Sequence, residues 1–194
     1  IVGRDPKTLD AFGVARAAIE STAENLCDGV VAPVFWYILF GFPGLFIYKT
    51  VNTMDSMIGH RTSKYEAFGM TAARLDDALN IIPARLTALF LILASFFVPT
   101  ASPTNSVRIV FRDASKHRSI NAGWPESAMA GALKIALAGP RKYKNSTIDD
   151  PWIGSGSAKV TIKDISRALY MYVVANLINL AWASSVMLIK LNLV

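Results

Sequence analysis

Three carboxylates recur at every fourth position early in the chain: Glu20, Glu24 and Asp28. On a helix this spacing puts them on one face. Like charges so placed repel unless a cation or a basic group sits among them, and Mg²⁺ bridging carboxylates and phosphate oxygens is a natural occupant. Asn25 lies beside them as a further carbonyl donor. The competing reading is a solvated face partly neutralised by Arg16. A second group, Asn52 and Asp55, sets an amide and an acid on one helical face. A third is denser: Arg74 and Asp77 can pair at i, i+3, and Asp76 and Asn80 at i, i+4. Such a cluster is either a structural ion-pair network or, where buried beside a membrane, a functional site, because intramembrane acids are costly.

Other chemistries are poorly served. His60 and His117, the two histidines, lack metal-ligand spacing to each other or to Cys27, so no zinc site is expected. A single cysteine permits no intrachain disulfide. The stretch from Gly154 to Lys159 has too few of the P-loop positions, and neither a GxGxxG nor a nucleophile-elbow pattern occurs. If the chain uses ATP, it does so through an unusual site.

The elements that must position these groups are largely apolar helices. Only 18% of residues are charged and the mean hydropathy is +0.37, against about 25% charged in soluble domains. Apolar segments run over about 29–48, 81–98 and 168–189, separated by polar loops 49–80 and 108–167. The first and third reach the roughly 20 residues needed to cross a bilayer, and the second is short. The first contains Pro33, Gly41, Pro43 and Gly44, which can kink a span or turn it back. If the first two runs are both re-entrant, 19 of the 20 Lys and Arg residues share one side, which suits the positive-inside rule. Helices are expected over Lys7–Asp28, over Ala72–Ile82 with an interruption at Pro83, and from Pro125 to about Leu137, stopped by Gly139-Pro140. Lys142–Ser157 reads as a loop. Thr161 and Asp164 resemble a capping box opening the last helix, which runs to Lys190. The expected fold is an all-α polytopic membrane protein, one membrane-embedded domain over 1–194, read as the C-terminal portion of a longer chain. The net charge of +6 is assigned to anionic lipid headgroups rather than nucleic acid.

Several ordered blocks are similar to one family. They are Glu20-Ser-Thr-Ala-Glu-Asn with Asp28-Gly-Val-Val-Ala-Pro, Val51-Asn-Thr-Met-Asp with Gly59-His-Arg, Ala73-Arg-Leu-Asp-Asp, Ile82-Pro-Ala-Arg-Leu-Thr, and the block from Asn121 to Gly131. Together they resemble the CobD/CbiB family of cobalamin biosynthesis, the adenosylcobinamide-phosphate synthases, without that family's N-terminal membrane portion. The resemblance implies a C–N bond-forming acid–amine ligase of the cell (inner) membrane, multi-pass, with its active-site loops cytoplasmic. It would join adenosylcobyric acid to aminopropanol or its O-phosphate, with Mg²⁺ and ATP, and associate with other cobalamin-assembly enzymes; cobalt would arrive within the substrate, so no protein-bound cobalt is expected. Under that reading Glu20, Glu24 and Asp28 hold the metal. Arg61, Arg74 and Arg85 contact phosphates. Asn52, Asp55, Asp76, Asp77 and Glu126 serve the chemistry, and Asn121 and Trp124 touch the corrinoid. The alternative is a non-catalytic scaffold or transporter for corrinoid intermediates, with Asn176 and Asn179 along a path or in interhelical hydrogen bonds.

Overall fold

The computed structural model describes residues 9–59, 66–143, 146–148 and 150–193. It is an all-α polytopic membrane fold carrying two very short antiparallel ribbons. Helix α1, Ala11–Leu26, opens where the Asp10 side chain accepts the Gly13 N–H at 2.6 Å. It passes through one π-helical turn, Cys27–Val31, directly into α2, Ala32–Ile58. As one straight helix, Ala11–Ile58 would be about 72 Å long, more than twice the roughly 30 Å of a hydrocarbon core.

The chain avoids this by folding back on itself. Gly41 has φ 66° and ψ −152°, a region open essentially to glycine alone. Beyond it the second arm lies against the first: a Cβ on Gly44 would collide with the Trp36 carbonyl oxygen and stand 2.8 Å from the Phe40 Cβ. The Tyr48 hydroxyl reaches the Asp28 carbonyl oxygen at 3.4 Å, although 20 residues of straight helix would hold them about 30 Å apart. The break frees the Ile38 carbonyl, and Lys190 Nζ donates to it at 3.2 Å. Of the two behaviours that the glycines and prolines of this run allow, the hairpin is the one adopted.

Helix α3 spans Glu66–Ala94 and carries Pro83 inside it. The expected interruption does not occur, for a local reason. Proline has no N–H for the carbonyl four residues earlier, Leu79, and the Trp36 indole N–H donates to that oxygen instead at 3.1 Å. Helix α4, Pro103–Asp113, then runs back alongside α5, Gly123–Leu133. The small residues of α5 allow close approach, as their spacing predicts: Ser106 Oγ donates to the Ala128 carbonyl at 2.7 Å, and a Cβ on Gly131 would sit 2.8 Å from the Asn105 carbonyl oxygen. Every residue of α5 except half-buried Trp124 is buried. The helix stops at Leu133, short of Leu137, because Lys134 turns left-handed (φ 58°), and Leu137–Ala138 follow as a short strand.

Strand β1 (Leu137–Ala138) pairs with β4 (Trp152–Ile153), and β2 (Arg141–Tyr143) with β3 (Ser146–Ile148), so the stretch expected as a loop, Lys142–Ser157, carries strand pairs. Helix α6, Ile162–Asn192, begins with the capping box read from the sequence, Asp164 Oδ2 accepting the Thr161 N–H at 2.9 Å. Among the described residues, three helical stretches are long and apolar enough to cross a membrane: Ala11–Ile58, Gly69–Ala94 and Ile162–Asn192. The α6 side chains Leu169, Val173, Leu177 and Leu180 are all exposed, a face suited to lipid or neighbouring helices. Asn176 donates to the Tyr172 carbonyl of its own helix, and Asn179 is buried.

Candidate active site

The hairpin at Gly41 brings Asp28 and Asp55 to one cavity, and α3 adds two more acids. The cavity is about 640 Å³, and among the described residues it is lined by five carboxylates: Glu24, Asp28, Asp55, Asp76 and Asp77. Cys27, Ala73 and Asn80 complete that side, and Arg118, Ser119, Asn121, Ala122 and Pro125 close the other. Its size falls within the range of small-molecule sites, roughly 300–1,000 Å³. Four separated stretches of sequence therefore meet here, two from the hairpin arms, one from α3 and one from the turn before α5.

A polar network fixes the α3 acids. Asp76 accepts the Asn52 side-chain amide at 3.2 Å on one oxygen and the Asn80 amide at 3.0 Å on the other. Asn80 is buried, and its own oxygen accepts from the Tyr48 hydroxyl at 3.0 Å. Lys49 Nζ holds the Asn52 oxygen at 2.9 Å. The opposite wall is joined to α3 through Asn121, whose amide donates to the Asp77 carbonyl oxygen at 2.8 Å. Arg85 Nη1 donates to the Asn121 oxygen at 2.8 Å, and its guanidinium lies 4.5 Å from the Trp124 ring centroid.

The turn before α5 is anchored from behind by Asp113. This carboxylate is fully buried and accepts from Arg112 (2.8 and 2.6 Å), Lys116 (2.7 Å) and the Gly154 N–H (2.8 Å). Burial disfavours its charge, but these donors outweigh that and hold the carboxyl well below the usual carboxylate range. His117 Nδ1 lies 3.0 Å from the Ser119 backbone nitrogen and 3.3 Å from its carbonyl oxygen, and Nε2 lies 3.7 Å from Glu126 Oε1.

Of the residues singled out by sequence, Glu24, Asp28, Asp55, Asp76, Asp77 and Asn121 line the cavity together. The others are placed elsewhere. Glu20 is buried and accepts the Ala138 N–H at 2.8 Å, so the three-carboxylate stripe is divided. The Glu20 carboxylate is thereby engaged at the Ala138 backbone and is not among the residues lining the cavity. Asn52 supports Asp76 from behind, and Glu126 is buried beside His117. Arg85 and Trp124 hold Asn121 instead of lining the cavity, and Arg74 and Asn25 are exposed outside it. Arg61, like His60, lies outside the described residues. The i, i+4 pairing of Asp76 with Asn80 is present. Among the described residues, no three His, Cys, Asp or Glu side chains form a ready-made metal cage. Arg118 and Ser119 are cavity residues that no sequence motif marks. Arg118 is one of eleven Lys and Arg residues between 108 and 167, and its only signal is proximity to Asn121.

The sequence model of the family described as CobD/Cbib protein matches residues 1–172. Curated relatives named cobalamin biosynthesis protein CobD are similar over 89% of this chain and 53% of their own length. They include those of Rhodobacter capsulatus (52% identical over 172 residues), Brucella suis biovar 1 (52% over 174) and Sinorhizobium fredii (54% over 175). The chain thus spans about half the length of the curated relatives it matches. No solved structure gives a significant match.

Proposed function

The chain belongs to the CobD/CbiB family, and from that premise we propose that it carries the acid-rich half of a cobalamin-biosynthesis ligase site. The reaction is ATP-dependent amide formation between a corrinoid carboxylate, that of adenosylcobyric acid, and aminopropanol or its O-phosphate. The observation that carries this reading is the cavity in which five carboxylates face Arg118 and Ser119. A cluster of acids suits an ammonium group and the magnesium of a nucleotide. The cavity volume suits a small amine and the reacting arm of a corrinoid rather than the whole macrocycle.

A carboxylate is a poor acylating agent. In the proposed sequence its oxygen attacks the γ-phosphorus of ATP, releasing ADP and leaving an acyl phosphate. The amine nitrogen then attacks the acyl carbon, the C–O bond to phosphate breaks, and a proton passes from nitrogen to a base. Asp77 is the base assigned here, because both oxygens of Asp76 are held by amides and suit fixed electrostatic positioning. Mg²⁺ commonly takes one or two carboxylates and completes its shell with phosphate oxygens and water, so Glu24 and Asp28 fit as its protein ligands, without Glu20. The ion would neutralise charge on the phosphoryl oxygens. The site lies in a membrane-embedded chain, with the cell (inner) membrane as its expected location.

The test is direct. Purified full-length protein given the corrinoid acid, aminopropanol phosphate, ATP and Mg²⁺ is expected to release an amide and ADP in equal amounts. Corrinoid binding or transport without that product would overturn the ligase reading and favour a carrier.

A further inference from the structure

Beside the acidic cavity lies a second one of about 250 Å³, and the two share Arg118 and Ser119 as a common wall. Its lining also includes Lys116, His117 and Asp150. Apart from the Asp150 carboxylate, the side chains of this lining offer mainly donors. Ser119 Oγ accepts the N–H groups of both Asn121 and Ala122 at 3.2 Å, which occupies its lone pairs and leaves its proton to donate. Lys116 gives one of its three N–H bonds to Asp113 and keeps two. Arg118 has donors only, and His117 Nδ1 is engaged with the Ser119 backbone. Among the described residues, three donor groups, two of them cationic, and one carboxylate, Asp150, border a cavity below the usual size for a whole nucleotide or drug-like ligand. The chemistry that fits is a phosphate: acceptor-only, anionic and small.

We propose that Lys116, Arg118 and Ser119 form a phosphate subsite opening onto the acidic cavity, so that a ligand bearing both an ammonium and a phosphate bridges the two. The subsite rests on the ligase reading for its ligand, and two sources share the chemistry: the O-phosphate of the amino alcohol and a phosphate of the nucleotide. With the amine among the carboxylates, Arg118 and Ser119 stand between the two ends of a short amino-alcohol phosphate. The contact specifies the phosphorylated form and orients its nitrogen.

The test uses full-length protein in detergent. Binding of inorganic pyrophosphate, aminopropanol O-phosphate and free aminopropanol is measured by titration calorimetry for the wild type, Arg118→Ala, Arg118→Lys and Ser119→Ala. Losing a hydrogen bond to a charged group corresponds to about 10- to 100-fold in affinity. Arg118→Ala is therefore expected to weaken pyrophosphate and aminopropanol phosphate by about that factor and leave free aminopropanol unchanged. Arg118→Lys should be intermediate, and Ser119→Ala weaker by several-fold. Should Arg118→Ala not fold, Arg118→Lys and Ser119→Ala carry the comparison. In turnover, a rise in KM confined to the phosphorylated amine assigns the subsite to the amino alcohol, and a rise confined to ATP assigns it to the nucleotide. Unchanged affinity for every phosphate in all three variants overturns the subsite, even with amide formation intact. Arg118-dependent phosphate binding in a protein that makes no amide keeps the subsite and removes the ligase reading.

Discussion

Arg85 decides between two roles. As a phosphate contact it would be free to meet ATP, but the structure engages it. Its Nη1 donates to Asn121 Oδ1 at 2.8 Å and to the Ile81 carbonyl at 2.9 Å, and the guanidinium lies 4.5 Å from the centroid of Trp124. A charge-assisted hydrogen bond contributes about 1.5–3 kcal/mol and a half-exposed cation–π contact about 0.5–1 kcal/mol. Arg85→Ala should therefore cost about 2–4 kcal/mol of positioning, felt through Asn121, whose amide otherwise holds the Asp77 carbonyl. If that positioning is needed only in the transition state, kcat falls by about 30- to 1,000-fold while KM for ATP stays near its wild-type value. A double-mutant cycle with Asn121→Ala, read from amide-formation kinetics, should give a coupling of about 1.5–3 kcal/mol. Arg85→Lys recovers little, because an ammonium has no planar fork to stack and bond at once. Additive effects in the cycle, with a raised KM for ATP at unchanged kcat, would refute the reasoning and restore Arg85 as a phosphate contact.

Five further substitutions have measurable outcomes. Asp113→Asn should lower thermal stability by about 2–4 kcal/mol at neutral pH, less than a fully buried pair because Arg112 and Lys116 are exposed. The folded pKa is depressed, so the contribution is complete above the unfolded value of about 3.9 and fades only as pH falls below it. The melting gap to wild type should therefore be flat from pH 5 to 8, and a slope across that window would contradict the assignment. Glu24→Gln should raise the Mg²⁺ needed for half-maximal turnover by about tenfold or more, equivalent to one charge-assisted contact. Glu20→Gln should leave that value unchanged and lower the melting temperature, since Glu20 holds the Ala138 N–H. Gly41→Ala meets a backbone region that an L side chain tolerates at a cost of about 1–3 kcal/mol, and should weaken folding and activity together. Trp36→Phe leaves the Leu79 carbonyl unpaired and should destabilise by about 1–3 kcal/mol in unfolding assays. A variant as stable as wild type would show that the indole bond contributes nothing.

The features legible in the sequence are those that depend on neighbours along the chain. The Asp76–Asn80 pair, the Thr161–Asp164 cap and the close-packing face of α5 are all set by spacing within one helix. The acidic stripe shows the limit of that reasoning. Angular spacing puts Glu20, Glu24 and Asp28 on one face, but rise along the axis separates the first from the third, and the π turn at Cys27–Val31 re-aims the side chains beyond it. Pro83 reads as a break because propensity knows nothing of Trp36, 47 positions away. Arg118 escapes sequence reasoning because a cation among many has no local pattern, and only the shared wall of two cavities marks it.

The breaks in the helices and the chemistry of the cavity have one origin. Were Ala32–Ile58 straight, Asp28 and Asp55 would stand about 40 Å apart, and neither could share a ligand with the other. The reversal at Gly41 brings them to one cavity, and the intact passage of α3 through Pro83 presents Asp76, Asp77 and Asn80 between them. Each irregularity exposes a carbonyl in an apolar setting, where an unpaired polar group costs several kcal/mol. Each is answered by a donor from a distant element: Lys190 at Ile38, Trp36 at Leu79. The donors thus fix the geometry in which five acids can be assembled. Neither touches the cavity, so loss of Lys190 or Trp36 should act on the acids only through the helices that carry them.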